Sequence, residues 1–264
     1  MSRPLVSIVV PSLDQRPFVA RTMESLLSQR GDFDLEVRVQ DGGSTDGTLE
    51  VLEGYRDRIS LVVERDGGQA DAVNRGLSRA RGDILAWVNS DDLLRPGAIQ
   101  SVVEGFRDHP EALWLHGMCD IVGADDRIIR RPVAAYKHFR ARRHSLAGLL
   151  VENYVSQMTV FWRRRMMERV GVLDPTLRYT FDYDLWLRFA RVAPPLWLDR
   201  TLAAFRWHVT SKSGSAFEAQ FEEDHRVFLR HAPPGPGLRL RKRMRTAQIL
   251  LVYRLLRALR PGVR

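Results

Sequence analysis

The 264-residue chain has one cysteine, Cys119, which excludes an intrachain disulfide framework and a cysteine-based zinc site. Its reading is a small buried apolar side chain, and a reducing compartment fits. No apolar run approaches the ~20 residues of a spanning helix. The short run Leu5 to Val10 is followed by polar Ser12, Asp14 and Gln15, unlike a signal peptide, so a cytoplasmic body is expected. Lysine is scarce, with only Lys137, Lys212 and Lys242. Neither Gly42-Gly43 nor Gly67-Gly68 completes a Gly-x-Gly-x-x-Gly fingerprint directly after the first strand, and no Gly-x-x-x-x-Gly-Lys-Ser/Thr loop occurs. Nicotinamide and P-loop enzymes are therefore poor fits.

What is present is an apolar content of 44%, ample for a core, and a net charge of +9 that is unevenly placed. Nine of the 41 basic residues lie between Arg239 and Arg264, where there is no acid, so the remaining 32 balance the 32 acids of the body. A nucleic-acid site would more often put its basic face within the folded body, and none is expected here. Domains are expected at 1–232, with a Pro/Gly linker at 233–238 and a basic amphipathic helix at 239–264.

The first half alternates short β-branched runs with amphipathic stretches. Strands are expected at Leu5 to Val10, Leu35 to Gln40, Ile59 to Val63 and Ile84 to Val88. Helices are expected at Phe18 to Gln29, Ser44 to Tyr55, Ala70 to Ala80 and Pro96 to Arg107. This alternation predicts an α/β fold with a mostly parallel central sheet and helices on both faces. Ligands of such sheets sit at the carboxyl ends of the strands. There the sequence places Pro11-Ser-Leu-Asp14, Asp41-Gly-Gly-Ser-Thr-Asp46, Asp66-Gly-Gly-Gln-Ala-Asp71 and Asn89-Ser-Asp-Asp92. Four polar loops on one rim exceed what turn chemistry alone supplies. In the second half, strands are expected at Trp114 to Val122, Arg127 to Arg131, around Phe161 and at Thr201 to Trp207. Helices are expected at Phe181 to Val192 and Ser215 to His231.

Several carboxylates with few lysines point to a divalent cation, because hard oxygens suit Mg²⁺ or Mn²⁺ with substrate phosphates completing the shell. In Asn89-Ser-Asp91-Asp92, one carboxylate is expected to face the pocket and the other to cap the following helix. Asp46 reads as a helix cap, and Trp186 as core.

Val6-Ser-Ile-Val-Val-Pro-Ser12, Asp41-Gly-Gly-Ser-Thr-Asp-Gly-Thr48, Gly68-Gln-Ala-Asp-Ala-Val-Asn-Arg-Gly76, Arg81-Gly-Asp-Ile-Leu-Ala-Trp-Val-Asn-Ser-Asp-Asp92, Phe181-Asp-Tyr-Asp-Leu-Trp-Leu-Arg188 and Arg206-Trp-His208 together resemble a family 2 glycosyltransferase of the GT-A fold, over about residues 5–213. The resemblance implies inverting, metal-dependent transfer of a sugar from a nucleotide-sugar, UDP-sugar first among them, to a hydroxyl of a glycan or lipid-linked acceptor. It implies a role in cell-envelope or extracellular glycan synthesis. It places the base on Asp182, the metal, Mg²⁺ or Mn²⁺, on Asp91 and His208, and the nucleotide along Pro11, Ser12, Asp41, Asp71, Asn89 and Ser90. Asn89 stands where the family's first acid of Asp-x-Asp would be, Phe181 replaces a Glu, and Gly42 replaces a second acid after Asp41. The stretch from Tyr154 to Met158 falls where the family has its acceptor-side wall.

In the tail, Leu240, Met244, Ala247, Leu251, Leu255 and Ala258 fall near one helical face with arginines to either side. That pattern predicts attraction to an anionic membrane at the inner face of the cell membrane. The rival is packing on the body or on a second subunit, which leaves a homodimer open. A non-catalytic nucleotide-sugar binder or scaffold, and a nucleotidyltransferase, are the alternative functions.

Overall fold

A computed structural model describes residues 3–208 and 217–258. Strand β1 (Leu5–Ser12) is buried along nearly its whole length, as expected of a strand covered by helices on both faces. It pairs in parallel with β2 (Asp34–Asp41) and β4 (Ile84–Trp87), and β2 pairs in parallel with β3 (Ser60–Val63). Ser12 lies opposite Asp41, and Asp41 opposite Val63, so these strands end level and their loops share one rim.

Beyond β4 the sheet becomes mixed. Its order is β3-β2-β1-β4-β8-β6-β9-β5, built with β5 (Leu93–Leu94), β6 (Trp114–Val122), β8 (Phe161–Arg163) and β9 (Leu196–Arg206), while β7 (Ile128–Ile129) pairs with β6. The parallel arrangement read from the sequence thus describes the first four strands and the pairing of β6 with β9. β8 runs antiparallel to both neighbours, and β5 runs antiparallel to β9.

Helices α1 (Arg16–Leu27), α2 (Thr48–Glu53), α3 (Gln69–Arg79) and α4 (Ala98–Asp108) connect the first strands. α2 is shorter than the expected Ser44 to Tyr55, because Ser44, Asp46 and Gly47 are used in the loop before it. α3 packs closely on β1: a Cβ added at Gly76 would stand 2.3 Å from Val9 Cγ1. Gly76→Val is expected to lower stability by about 1–3 kcal/mol through overpacking, read as a lower urea midpoint at unchanged m value.

The strand expected at 127–131 is present in shortened form, paired antiparallel with β6. Only Ile128–Ile129 pair, and helix α5 (Arg131–Arg142) starts directly afterwards with Pro132 in its first turn. Only Ala134 and Ala141 of this helix are buried, so it leaves little apolar periodicity to read. Then come α6 (Leu146–Val151), α7 (Arg164–Val170), α8 (Phe181–Val192), α9 (Phe217–His231) and α10 (Pro236–Ala258). The tail helix begins at Pro236, inside the expected linker, since proline suits a first turn. It rests on the body through Leu238, packed against the core, and through two cations: buried Lys242 meets Asp224 at 2.5 Å, and Arg245 meets Glu152 at 2.8 Å. No described helix is long and apolar enough to cross a membrane.

The main core cluster holds four fully buried tryptophans, and Leu93, Val122 and Ala204 form a small second cluster. Trp87 and Trp114 both stack on Trp186, at 5.3 and 6.1 Å, with Trp162 and Phe189 edge-on around them. Trp186 and Trp162 are fully buried, so the first is core as read, and the second is core as well. Cys119 is buried, and burial pushes its thiol up to about 12, which makes it inert.

Candidate active site

The first two loops of the rim are bound to each other. Ser44 Oγ accepts from the Asp14 amide, Asp14 Oδ1 from the Thr45 amide and Asp46 Oδ2 from the Arg16 amide. Asp46 Oδ1 accepts from the amide and hydroxyl of Thr48 at the start of α2, one residue before the cap position itself, which Gly47 occupies. Asp41 is fully buried, and its carboxylate takes the amides of Gly43 and Ser44 and the Ser44 hydroxyl. In this arrangement Asp41 shapes the loop. Ser12 ends β1 as a buried hydroxyl for which no hydrogen bond is made.

The third loop closes against these two. Asp71 accepts from the Gly67 amide and pairs with Arg75 at 2.9 Å, and these contacts hold its carboxyl below the usual range. A Cβ added at Gly42 would lie 2.9 Å from Asp66 Oδ2. Asp66 therefore fills the space that a side chain after Asp41 would occupy. Sequence reading passed over it, although it opens the noted Asp66-Gly-Gly loop. Gln69 Nε2 donates to Asn89 Oδ1 at 2.7 Å and joins the third loop to the fourth.

The fourth loop is where distant segments meet. After the turn Asn89–Asp92, β5 pairs with β9 in the register Leu93↔Ala204. That pairing carries the end of β9 back to the loop, so His208 Nε2 lies 3.0 Å from Asp91 Oδ2. The two residues that the resemblance assigned to a metal are thus neighbours. Arg206, fully buried, donates to the Asp91 carbonyl at 2.5 Å and to Asp126 Oδ1 at 2.6 and 3.0 Å. Its amide donates to Asp92 Oδ1. Phe18 lies under both, its ring 4.9 Å from the Arg206 guanidinium and 4.6 Å from the His208 ring.

Asp92 does not cap the following helix, as had been expected, because β5 intervenes and α4 starts at Ala98 behind Gly97. It turns inward to Arg206 and Asn89 instead, and burial together with the Asp91 charge raises its pKa well above the usual carboxylate range. Ser90 is buried, and its carbonyl accepts from Thr22. Pro11, next to Ser12 in β1, is buried too.

Asp182 stands in the first turn of α8, which the Trp87–Trp186 stack and Phe181, 6.4 Å from Trp87, lay against the end of β4. Its carboxylate accepts from the Tyr183 amide at 2.7 Å, with the Asn153 side chain and the Lys137 charge nearby. Desolvation outweighs these and raises its pKa to about 6. Asn153 was not singled out from sequence. The neighbouring Tyr154, Val155 and Met158 are buried and Gln157 bonds the Trp87 carbonyl, with Asn153 at the edge of this segment. Trp207 is half-buried beneath Arg130.

Glu223 of α9 is a second residue that sequence gave no sign of. Burial raises its pKa, but the amides of Arg178, Tyr179 and Thr180 and the Thr180 hydroxyl outweigh that and hold it low. It fixes the entry to α8 two residues before Asp182. Asp184, by contrast, faces Arg188 and His231 at 2.9 and 2.8 Å and is structural. Among the described residues no group of three His, Cys, Asp or Glu side chains converges to hold a metal.

The family model described as glycosyl transferase family 2 matches residues 7–169, more than half of the chain. The chain belongs to glycosyl transferase family 2. An uncharacterised glycosyltransferase of Mycobacterium tuberculosis is 30% identical over 208 residues, 77% of this chain and 76% of that one. Chondroitin synthase of Pasteurella multocida is 27% identical over 192 residues, 72% of this chain but 19% of the synthase. Among solved structures, S. aureus TarS 1–349 in complex with UDP-GlcNAc aligns at a TM-score of 0.66 and 19% identity, over 87% of this chain and 68% of that one. The mannosyltransferase PcManGT of Pyrobaculum calidifontis, in complex with GDP-Man and Mn²⁺, aligns at 0.65 and 17%, over 99% and 77%. The chain spans 38% of the longer TarS structure. The fold of this glycosyltransferase is GT-A.

Proposed function

We propose that this family 2 glycosyltransferase catalyses inverting transfer of a sugar from a nucleotide-diphosphate sugar, a UDP-sugar first, to a hydroxyl of a glycan or lipid-linked acceptor. The observation that carries the reading is the approach of His208 to Asp91 across 117 residues at the rim of the parallel strands. Two such donors suit Mg²⁺ or Mn²⁺, which take few protein ligands and leave positions for phosphate and water. His208 and Asp91, side by side at the rim, are the residues that would hold such a cation. A divalent cation held there supplies counter-charge to the departing diphosphate.

Ser12, with its unsatisfied hydroxyl, lies with Pro11 along the nucleotide, and Asp41 holds their loop in shape. Asp71 and Ser90 shape the neighbouring loops, Asn89 contacts the donor through its amide, and Asp66 offers the nucleobase the acid that Gly42 lacks. Asp182 takes the acceptor's proton as the hydroxyl oxygen bonds to the anomeric carbon; the bond from that carbon to the diphosphate oxygen breaks, and its electron pair leaves with the phosphate. A carboxylate with a pKa near 6 is ionised at neutral pH yet more basic than one in water. The pathway is cell-envelope or extracellular glycan synthesis, with the enzyme at the inner face of the membrane through its basic C-terminal helix.

Calorimetric titration of UDP, GDP and dTDP, with and without Mn²⁺, tests the donor site. One nucleotide is expected to bind in a metal-dependent way, and Asp91→Ala is expected to weaken that binding about tenfold or more. Failure of a well-folded protein to bind any of the three sinks the assignment.

A further inference from the structure

Amphipathic helices on a folded domain ordinarily turn their apolar stripe inward. α10 does so only in part: Leu238 packs against the core and Ile249 and Leu250 are half-buried, but other apolar side chains are left outward. Lys242 and Arg245 face the body in their ion pairs with Asp224 and Glu152, while Leu240 is 59% and Met244 56% exposed. Exposed Arg239, Arg241 and Arg243 flank this stripe.

α5 repeats the arrangement. Ala134 and Ala141 are its buried side, and Val133, Tyr136 and Phe139, spaced three apart, are exposed on the other. Exposed Arg143, just past the helix end, lies over this face with its guanidinium 4.1 Å from the Phe139 ring. The helices join at one seam: the Arg245 guanidinium lies 4.9 Å from the Tyr136 ring, and both residues bind the Glu152 carboxylate. No acid occurs between Arg127 and Val151 or after Arg239.

We propose that α5 and α10 together form a docking face for an anionic lipid bilayer. The proposal rests on the membrane part of the preceding reading and extends it to a second helix, for which the sequence gave no expectation beyond Arg131. Apolar side chains between arginines, with the one acid at the seam, Glu152, largely buried and already paired with Arg245, match a surface of acyl chains beneath negative headgroups. A second copy of the chain is a poorer occupant, because a two-fold contact would set this cationic face against itself. Lys137 lies on α5 and acts on the Asp182 charge, so the same helix links the docking face to the candidate base. An acceptor anchored in lipid would arrive beside that base.

Flotation of the full chain with phosphatidylcholine vesicles, with and without phosphatidylglycerol, tests the face. Wild type is expected to bind only the anionic vesicles and to be released by high salt. Val133→Asp with Phe139→Asp, and separately Leu240→Asp with Met244→Asp, are each expected to lower binding tenfold or more, with UDP binding and Tm unchanged. If the acidic α5 variant does not fold, Phe139→Ser with Arg143→Gln reads the same face. Loss in the α10 variant alone overturns the two-helix face and leaves the tail contact standing. No binding by wild type overturns both, and loss of a dimer in the α5 variant without vesicle binding assigns the face to a second copy. Retained UDP binding throughout keeps the donor-site reading separate from either result.

Discussion

Asp182→Asn is expected to abolish sugar transfer while making the protein harder to unfold. Removal of a general base costs about 10²–10⁴ in rate, and the amide still accepts the Tyr183 N–H, so nucleotide binding at the other end of the rim is retained. The stability gain follows from the raised pKa. Below the unfolded value of 3.8 both states of wild type are protonated, and ionisation costs nothing. Between 3.8 and about 6 the unfolded chain releases a proton that the folded protein keeps, so wild-type stability declines as pH rises through this window. Above it the penalty is constant, and with the side chain only partly exposed it amounts to about 1–3 kcal/mol. The variant should therefore match wild type near pH 4 and unfold several degrees higher at pH 8. Thermal scans at the two pH values check this. Equal melting at both would show that Asp182 is not desolvated, and retained transfer would remove it as the base. In wild type, the same pKa predicts a transfer rate falling tenfold per pH unit below about 6.

The second large effect is at Arg206. Replacing it with Met, similar in length and apolar, leaves the Asp126 carboxylate with only the exposed Arg21 and the Asp91 carbonyl without its donor. Breaking one side of a buried ion pair typically costs 3–5 kcal/mol, and the remaining Arg21 contact keeps this case near ~3. Arg206→Met should lower Tm by roughly 6–12 °C. Mn²⁺-dependent nucleotide binding should weaken with it, because Arg206 holds the backbone of Asp91 in place. Arg21→Met removes the exposed partner of the same carboxylate and is expected to change stability by less than about 1 kcal/mol. Similar losses in the two variants would show that burial of Arg206 is not what gives the pair its importance. Arg206→Lys should not rescue, since an ammonium cannot serve Asp126 and the Asp91 carbonyl with one planar fork.

The first four strands and their rim loops were legible because they are local. A buried parallel strand is a continuous β-branched run, and a loop at its carboxyl end must turn within a few residues, which selects Asp, Gly, Ser and Asn. α8 was legible for a similar reason, with aromatic and aliphatic side chains over three turns and Pro194 after its end. α5 was hidden because only two alanines of it are buried, so it has almost no inward stripe to detect. Glu223 and Asn153 were hidden because nothing near them in sequence shows which other segments they meet.

Sequence alone determined the identity and order of the chemistry-bearing residues, since short-range geometry and motif spacing are written along the chain. Which of them face each other was decided only by the tertiary structure. Asp91 meets His208 because β5 pairs with β9 in one register, and a slip of one residue would turn every side chain to the other face. The tail shows the same division. Its sequence specifies an apolar stripe between arginines, but which face points outward follows from where Asp224 and Glu152 stand to receive Lys242 and Arg245. A buried cation must go where its counter-charge is, and that place is fixed only when the rest of the chain has folded.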